Sequence, residues 1–262
     1  MKVLITGGSG ALGRILVRTA LGAGHNVRGL SRGVRPQQQA VPAGVEWARG
    51  DLASGEGLSA AVAGMEAIIH SASDPRRTQA VDVEGTRRLV EAARAAGISH
   101  LVYISIVGID EIPYSYYRRK REAEEIIEAS GIPHTNLRAT QFHSLVDFLI
   151  SKAALVPFVL PLPTDFKFQS VADAEVAARL VGCLAEGARG RVEFGGPEVL
   201  TLGEMAATWL EVRGVRRRRR LVHLHVPGAI AAGFRAGQNT TPDGLRGATR
   251  WREWLRENRD RR

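Results

Sequence analysis

The chain has 262 residues, of which 44% are hydrophobic and 24% are charged, and it contains 29 glycines and one cysteine. This hydrophobic content excludes a disordered chain, and the length is sufficient to bury one large core. The single cysteine, Cys183, excludes an internal disulfide and a thiolate metal cluster, and we expect it to lie in the core. The first apolar run is much shorter than a secretory signal, and no stretch approaches the roughly 18 apolar residues of a membrane helix. We therefore expect a cytoplasmic protein with no membrane partner.

The formal net charge of +9 is concentrated at the end of the chain. Residues 213–262 contain 14 arginines and 4 acidic residues, whereas residues 1–212 contain 22 basic and 23 acidic residues. The five consecutive arginines Arg216–Arg220 have two interpretations, a solvated turn or sheet edge and an anion or nucleic-acid contact. No interleaved aromatic residues accompany them, so we favour the first and expect no specific nucleic-acid partner.

Strand and helix patterns alternate through the first 140 residues. In chain order we predict strand Lys2–Thr6, helix Ala11–Ala23, strand Val27–Ser31, strand Val45–Ala48, helix Leu58–Val62, strand Ala67–Ser71, helix Gln79–Ala96, strand His100–Ser105, helix Tyr116–Ser130 and strand His134–Ala139. Such alternation is typical of right-handed crossovers between parallel strands. The fold class is therefore α/β, a doubly wound parallel sheet of the Rossmann type, with residues 1–140 as its dinucleotide-binding core.

The pattern is looser in residues 141–262. Here we predict helix Phe142–Leu155, a proline-rich loop Leu155–Pro163, helix Asp173–Ala185, strand Arg191–Gly195, helix Leu202–Leu210, strand Leu221–Val226, a glycine-rich stretch and an amphipathic segment around Trp251. Thr201 and Glu204 have the spacing of a capping box. We expect this half to be a small substrate-covering lobe built onto the same sheet, ending in the arginine-rich tail.

The strongest local motif directly follows the first strand and opens the first helix. Gly7, Gly10 and Gly13 have the spacing G-x-x-G-x-x-G, which allows a tight turn, close approach of a diphosphate and close packing of the helix. The helix start offers unpaired N–H groups and a positive dipole end to phosphates. A glycine-rich turn without a ligand is the alternative. The predicted contacts in this segment are Gly7, Ser9, Gly10, Ala11, Leu12 and Gly13.

Two further strand ends fit a dinucleotide. Ser31 and Arg32 end the second strand, where an acidic residue would hold the ribose hydroxyls of NAD. A cation there favours the 2′-phosphate of NADP, although an arginine in this position is also common at a surface. Asp51 and Leu52 follow the third strand near the expected adenine edge, and Asp51 could equally initiate the next turn. We therefore predict NADP (NADPH) in preference to NAD.

Several motifs together carry a family resemblance. They are the glycine motif, Asp51-Leu52, the small-residue loop Ser71-Ala72-Ser73, Tyr116-x-x-x-Lys120 and the segment Arg138–His143. The chain resembles the atypical short-chain dehydrogenase/reductases of the NmrA-like type. The resemblance implies an NAD(P)-binding Rossmann fold in which Ser71, Ala72, Ser73 and Thr140 contact the cofactor. It also implies either a reductase or a protein that binds the dinucleotide without turnover.

Tyr116 and Lys120 lie one helical turn apart, so the ammonium can stabilise the ionised phenol. The resemblance implies that Tyr116 exchanges a proton with the substrate and that Lys120 holds the nicotinamide ribose. It also implies that Ser105 donates a hydrogen bond to the substrate. A solvated helix start is the alternative. The chain departs from many active relatives at Ile106, where those proteins carry a second hydroxyl.

Gln141, Phe142 and His143 follow the sixth strand and are the predicted substrate contacts, although a lone histidine is more often structural. His223 and His225 lack a third ligand nearby, so we expect surface histidines and no metal site. The leading hypothesis is an NAD(P)H-dependent oxidoreductase, a monomer or homodimer, that transfers hydride to a small carbonyl or quinone. The alternative is an NADP-binding regulator or redox sensor without turnover.

Overall fold

The computed structural model describes residues 1–33, 44–215 and 219–259. The strands are β1 (Lys2–Thr6), β2 (Asn26–Ser31), β3 (Glu46–Arg49), β4 (Ala67–His70), β5 (His100–Ile106), β6 (His134–Ala139), β7 (Val159–Leu162), β8 (Lys167–Phe168), β9 (Gly190–Gly195), β10 (Leu200–Thr201), β11 (Arg220–His223) and β12 (Leu245–Arg246). The helices are α1 (Ala11–Gly22), α2 (Leu58–Val62), α3 (Glu84–Ala95), α4 (Ser115–Glu128), α5 (His143–Ala153), α6 (Asp173–Glu186), α7 (Leu202–Val212), α8 (Ala229–Ala236) and α9 (Trp251–Glu257). A π-helical turn, Gln79–Val83, leads into α3.

The central sheet is parallel and has eight strands in the order β12-β9-β6-β5-β4-β1-β2-β3. Val3 of β1 pairs with Val27 of β2 on one side and with Ala67 of β4 on the other. The chain therefore leaves β1 at the point where the strand order reverses. Ligands of open α/β sheets bind in the crevice beyond the carboxyl ends of the strands at such a point.

Buried apolar runs explain why these strands occupy the centre of the sheet. Leu4, Ile68 and Leu101 lie on neighbouring strands, are fully buried and belong to one apolar cluster. Strands that are covered on both faces have continuous apolar runs rather than an alternating pattern, as β4 does up to its last residue, His70. In α1, Leu16 and Val17 are buried while Arg14 and Arg18 are exposed, so the helix packs one face on the sheet.

The chain forms two compact units. The first unit contains Met1–Ser105, Ser115–Arg138 and Ala177–Val192, and the second contains the remaining segments, Ile106–Tyr114, Ala139–Val176 and Glu193–Arg262. Most of α6 belongs to the first unit, although the division at residue 140 assigned it to the second lobe. The reason is that the chain returns to the first unit after residue 176, so a single cut in the sequence does not separate the units.

The second unit contains two small sheets, antiparallel β8–β10 and parallel β7–β11. Its apolar cluster includes Trp209, Trp251 and Leu255. The capping box at the start of α7 is confirmed, because the Thr201 hydroxyl accepts from the Glu204 N–H and the Glu204 carboxylate accepts from the Thr201 N–H. Among the described residues, no helix is long and apolar enough to cross a membrane.

Three predictions for the second unit were wrong. The segment Leu155–Pro163 is not all loop, because it contains β7, and Pro161 is tolerated there since β7 is an edge strand that pairs with β11 alone. The glycine-rich stretch contains α8, whose interior apolar residues outweigh the cost of Gly233. Strand β11 ends at His223, so His225 lies beyond it. Of the arginine run, residues 216–218 lie outside the described part of the chain.

Candidate cofactor and active site

The glycine motif forms a tight loop between β1 and α1. Gly7 has φ +70°, a conformation that side chains rarely adopt, and its carbonyl accepts from the Gly10 N–H at 2.9 Å. A Cβ at Gly7 would lie 2.8 Å from the backbone nitrogen of Ala72, in the loop after β4. A Cβ at Gly13 would overlap the Gly7 carbonyl oxygen. The glycines therefore let two loops and the start of α1 approach one another closely.

The N-terminus of α1 is left open for an anion. Gly10 occupies the capping position and has no side chain to accept from the first amides of the helix. The N–H groups of Ala11, Leu12 and Gly13 have no partner within the helix, because the first intrahelical bond is from the Arg14 N–H to the Gly10 carbonyl. The Arg14 guanidinium donates to the Ser9 carbonyl at 3.0 Å and so steadies the loop. This end of the helix carries the positive dipole.

A cavity of about 250 Å³ lies beside this loop, at the carboxyl ends of β1 to β4. It is lined by Gly7, Ser9, Gly10, Leu30, Ser31, Arg32, Gly50, Asp51, Leu52, Ser71, Ala72, Ser73, Asp74 and Val81. Most of these residues were predicted from the sequence, and the structure brings them together. The prediction missed Leu30, Gly50, Asp74 and Val81, because an apolar residue, a lone glycine or a loop carboxylate carries no local signal for a nucleotide. Ala11, Leu12, Gly13, Lys120 and Thr140 do not line this cavity.

The outer wall of the cavity carries the charged groups. Arg32 is exposed, just after β2 ends, and Ser31 accepts from the Gly33 N–H at 3.3 Å. Asp51 is half-buried, and its Oδ1 accepts from the Ala53 N–H at 2.9 Å. Asp51 thus both holds a turn and lines the cavity, so the two interpretations of this residue are compatible.

A chain of buried hydrogen bonds lies behind the cavity wall. The Thr86 hydroxyl donates to the Asp82 carbonyl, so it must accept from His70 Nε2, at 3.0 Å. His70 is neutral, since burial lowers its pKa to about 3, and its Nδ1 accepts from the Thr6 hydroxyl at 2.7 Å. Thr6 Oγ1 in turn accepts from the N–H groups of Ser71 and Ala72. This chain fixes the loop after β4 to the end of β1.

Lys120 lies deeper than the sequence suggested. Its side chain is buried, its Nζ donates to the Ile104 carbonyl at 2.8 Å, and it lies 4.1 Å from the centre of the Tyr103 ring. Burial lowers the pKa of Lys120 to about 8, while the carboxylates of Asp82 and Glu124 act in the opposite direction. The Tyr103 ring also stacks on His70, with the ring centres 5.2 Å apart.

Three polar atoms around this lysine have no hydrogen-bond partner in the described ranges. They are the Tyr103 hydroxyl, Asp82 Oδ1 and the Ser105 hydroxyl. All three side chains are buried, and burial also raises the pKa of Tyr103 well above its usual value. A buried polar atom without a partner is costly and requires an explanation such as a ligand or water. Ser105 is one of the predicted site residues, whereas Tyr103 and Asp82 have no counterpart in the predicted site.

Tyr116 connects helix α4 to the cavity. Its side chain is half-buried, and its hydroxyl lies 3.0 Å from the hydroxyl of Ser73, which lines the cavity. The helix is held by a buried pair in which Arg138 Nε and Nη2 donate to the two carboxylate oxygens of Glu124, at 2.9 and 2.6 Å. This paired geometry resists rotation of α4 and so fixes the position of Tyr116.

The predicted contacts after β6 have structural partners within the second unit. The Thr140 hydroxyl donates to the Gln169 carbonyl, and Gln141 Oε1 accepts from Asn239 at 3.0 Å. Phe142 is half-buried. His143 is fully buried and contacts both Trp251 and Trp254, and its two ring nitrogens bond Ser170 and the Thr249 carbonyl.

Burial also lowers the pKa of His143. Because both ring nitrogens are occupied, the structural interpretation applies to His143, and we no longer assign it to the substrate. Within the described ranges, no group of three or more His, Cys, Asp or Glu side chains could hold a metal ion. His223 Nδ1 instead lies 2.8 Å from the Thr164 hydroxyl. Cys183 is buried, in agreement with its expected place in the core.

Several known proteins are similar to this chain in sequence, in fold or in both. The NAD(P)H-binding family matches residues 7–187. A (4-alkanoyl-5-oxo-2,5-dihydrofuran-3-yl)methyl phosphate reductase of Streptomyces griseus is 33% identical over 235 residues, which cover 88% of this chain and 79% of the relative. A photosystem II assembly factor of Cyanophora paradoxa is 32% identical over 149 residues, which are 54% of this chain but 46% of that protein. The chain spans about half the length of several such relatives.

Among solved structures, an NADPH-dependent quinone oxidoreductase of Escherichia coli, complexed with NADPH, superimposes with a TM-score of 0.81. The match covers 97% of this chain and 99% of that protein at 21% identity. A triphenylmethane reductase of Citrobacter gives a TM-score of 0.83 over 99% of each chain at 20% identity. These likenesses establish the fold. The family match, which spans more than half of the chain, and the 33%-identical reductase show that the chain belongs to the NAD(P)H-binding family.

Proposed function

We propose that this protein is an NADPH-dependent oxidoreductase that reduces a small carbonyl or quinone. The observation that carries the proposal is the contact of 3.0 Å between Tyr116 and Ser73, since it links a phenol to the wall of the glycine-loop cavity. The names of the relatives also support it, because they include an NADPH-dependent quinone oxidoreductase and a furanone phosphate reductase.

The residues of the cavity fit a pyridine dinucleotide phosphate. The close approach of Gly7 and Ala72 and the open amides of α1 suit the diphosphate. Arg32 suits the 2′-phosphate, because a guanidinium pairs with phosphate oxygens through two parallel hydrogen bonds. The half-buried Asp51 suits the adenine edge. When bound, the reduced nicotinamide supplies the hydride.

The chain's own side chains supply the proton and the orientation of the substrate. Tyr116 donates its phenolic proton to the substrate oxygen as negative charge develops there. Ser105 donates a hydrogen bond to the same oxygen, which gives its buried hydroxyl a partner. Lys120 bonds Ile104 with one of its three N–H donors, and the other two would bond the nicotinamide ribose.

NADPH oxidation with a panel of quinones and ketones tests this function. We expect turnover in the wild type and a loss of about a hundredfold or more in kcat for Tyr116→Phe, with NADPH affinity unchanged. Tyr114→Phe, which alters an exposed tyrosine before the same helix, is the control. Equal kcat values for Tyr116→Phe and the wild type would exclude Tyr116 as the proton donor.

A dinucleotide-binding regulator without turnover is the second candidate. The observation that favours it is the burial of Lys120, whose ammonium is already held by a carbonyl and a ring. A relative named as an assembly factor rather than as an enzyme also fits this candidate. NADPH binding without oxidation by any substrate of the panel would favour the regulator.

A further inference from the structure

The second unit carries an exposed apolar turn between α5 and β7, residues 155–158, which we call the apolar tip. Leu155 is 73% exposed and Phe158 is 81% exposed, the largest values among the large hydrophobic residues described. Phe158 has φ +63° and is the only non-glycine residue with a positive φ in the described part of the chain. A bulky residue in this conformation is strained, and such strain is characteristic of functional sites.

The apolar tip is bonded directly to the arginine-rich segment. The Arg219 guanidinium donates to the Val156 carbonyl at 2.5 Å, and the Arg220 N–H donates to the Phe158 carbonyl at 2.9 Å. From residue 213 to residue 242 the sequence contains seven arginines and no acidic residue. Two of these arginines, Arg213 and Arg235, pair with Asp147 and Asp165. The described arginines Arg219 and Arg220 therefore place positive charge beside the tip.

Apolar exposure extends from the tip along both neighbouring elements. Helix α5 has Leu145, Phe148 and Leu149 exposed on one face, and the ammonium of Lys152 lies 5.4 Å from the Phe148 ring. The opposite face of the helix is buried through Val146 and Ile150, so α5 is apolar on both sides. On and after β11, every second residue has an exposed apolar side chain, at Val222, Leu224 and Val226.

We propose that the apolar tip and the adjoining arginines dock this protein onto the surface of an anionic phospholipid bilayer. Leu155 and Phe158 would enter the boundary between headgroups and acyl chains, while the arginines bind lipid phosphates. This contact is peripheral and goes beyond the proposed reductase activity. It departs from our expectation of no membrane partner, which considered spanning segments.

Positive charge and exposed apolar side chains together favour a lipid bilayer over a second copy of the chain or a nucleic acid. In a two-fold contact with a second copy, the arginine segments of both copies would adjoin the same interface and repel each other. A nucleic acid would neutralise the arginines but would give no apolar medium to the two side chains of the tip. An anionic bilayer satisfies both requirements at once.

Co-sedimentation of the full chain with vesicles tests the proposal. The vesicles contain phosphatidylcholine alone, or an equal mixture of phosphatidylcholine and phosphatidylglycerol. We expect binding to the mixed vesicles only. Leu155→Ser combined with Phe158→Asn should lower the partition coefficient by about tenfold or more, and Asn tolerates the left-handed backbone. Arg219→Gln and Arg220→Gln should each lower it by about fivefold.

Matched variants control for composition and folding. Leu245→Ser with Val199→Ser removes two exposed apolar residues elsewhere in the second unit, and Arg18→Gln with Arg94→Gln removes two exposed charges from helices of the first. These variants should bind vesicles as the wild type does, and all variants should keep the wild-type affinity for NADPH. Failure of the wild type to bind mixed vesicles would overturn the proposal. So would equal vesicle binding by the tip variant and the wild type, or self-association that the tip variant abolishes.

Discussion

The glycine-loop cavity and the buried cluster behind it lie at the ends of the same strands but differ in the kinds of residue that form them. The cavity is formed by backbone, small and apolar residues, two acidic residues (Asp51 and Asp74) and one exposed cation, Arg32. The buried cluster consists of polar residues that are joined by hydrogen bonds or ring contacts, with Asp82 joined through its backbone carbonyl: Thr6, His70, Asp82, Thr86, Tyr103 and Lys120.

The difference shows how one sheet edge serves two needs. A diphosphate requires backbone amides and room, so glycines and a bare helix end are suited to that side. The loops that form the cavity must also be held still, and the buried cluster does this through the bonds from Thr6 to the loop after β4. Changes in the cavity should therefore act on cofactor binding, whereas changes in the cluster should act on stability and its pH dependence.

The largest expected effect comes from filling the tightest contact of the glycine loop, between Gly13 and Gly7. In Gly13→Ala the new methyl group would overlap the Gly7 carbonyl, so the loop must move away from the start of α1. We expect a loss of about 3 kcal/mol in unfolding free energy and at least about a hundredfold in NADPH affinity. Denaturant unfolding and fluorescence titration measure both. Gly22→Ala, in the same helix with open space around the glycine, should leave binding intact.

Cofactor choice should depend on the exposed cation of the cavity. Removing the guanidinium in Arg32→Ala should lower the NADPH affinity by about ten- to a hundredfold, or roughly 1.5–3 kcal/mol, and leave NADH affinity nearly unchanged. Titration of both cofactors gives the ratio. Arg18→Ala, an exposed arginine in α1, is the matched control. Tighter binding of NADH than of NADPH by the wild type would contradict the predicted preference for NADP.

Acidification should lower the stability of the protein through the buried cluster. The pKa of His70 is about 3 in the folded state and about 6.5 when unfolded, so the unfolded chain binds more protons between these values. Stability that is present above pH 6.5 is therefore lost as the pH falls. When the pH falls from 7 to 5, we expect this histidine to lower the free energy of unfolding by about 2 kcal/mol. Denaturant unfolding should show a smaller loss in His70→Asn than in the wild type. Parallel losses would place the titration elsewhere.

The cavity was predicted well because its signals are local. Glycine spacing, a strand end and a following helix lie within thirteen residues, and buried strands such as Ala67–His70 have continuous apolar runs. Each of these depends on neighbours in sequence, so composition and period are enough to place them.

The buried cluster and the second unit could not be predicted in this way. His70 bonds Thr6, 64 positions earlier, and Thr86, 16 positions later, so no window of sequence shows the connection. A solvated helix start was the alternative for Lys120, yet its side chain is buried and donates to the Ile104 carbonyl. In the second unit, Pro161 and Gly233 are typical loop residues that tertiary contacts hold in a strand and a helix.

The smallest expected effect distinguishes a buried ammonium from an accessible one. Lys120 has a pKa of about 8 in the folded state, below the value of about 10.4 for an unfolded chain. Between these values the unfolded chain binds more protons, so this lysine makes the protein more stable as the pH rises. From pH 7 to pH 9 the free energy of unfolding should rise by about 1 kcal/mol because of this lysine. Stopping at pH 9 keeps Tyr103, whose pKa is raised, outside the titrated range.

Lys120→Met keeps the length of the side chain and removes the charge, so it should lose this gain in denaturant unfolding at the two pH values. Lys152→Met, which alters an exposed lysine, should keep it. Equal gains in Lys120→Met and the wild type would show that the ammonium is solvated. Lys120 would then be an accessible cation near the proposed cofactor, as Arg32 is. It would no longer be a member of the buried cluster.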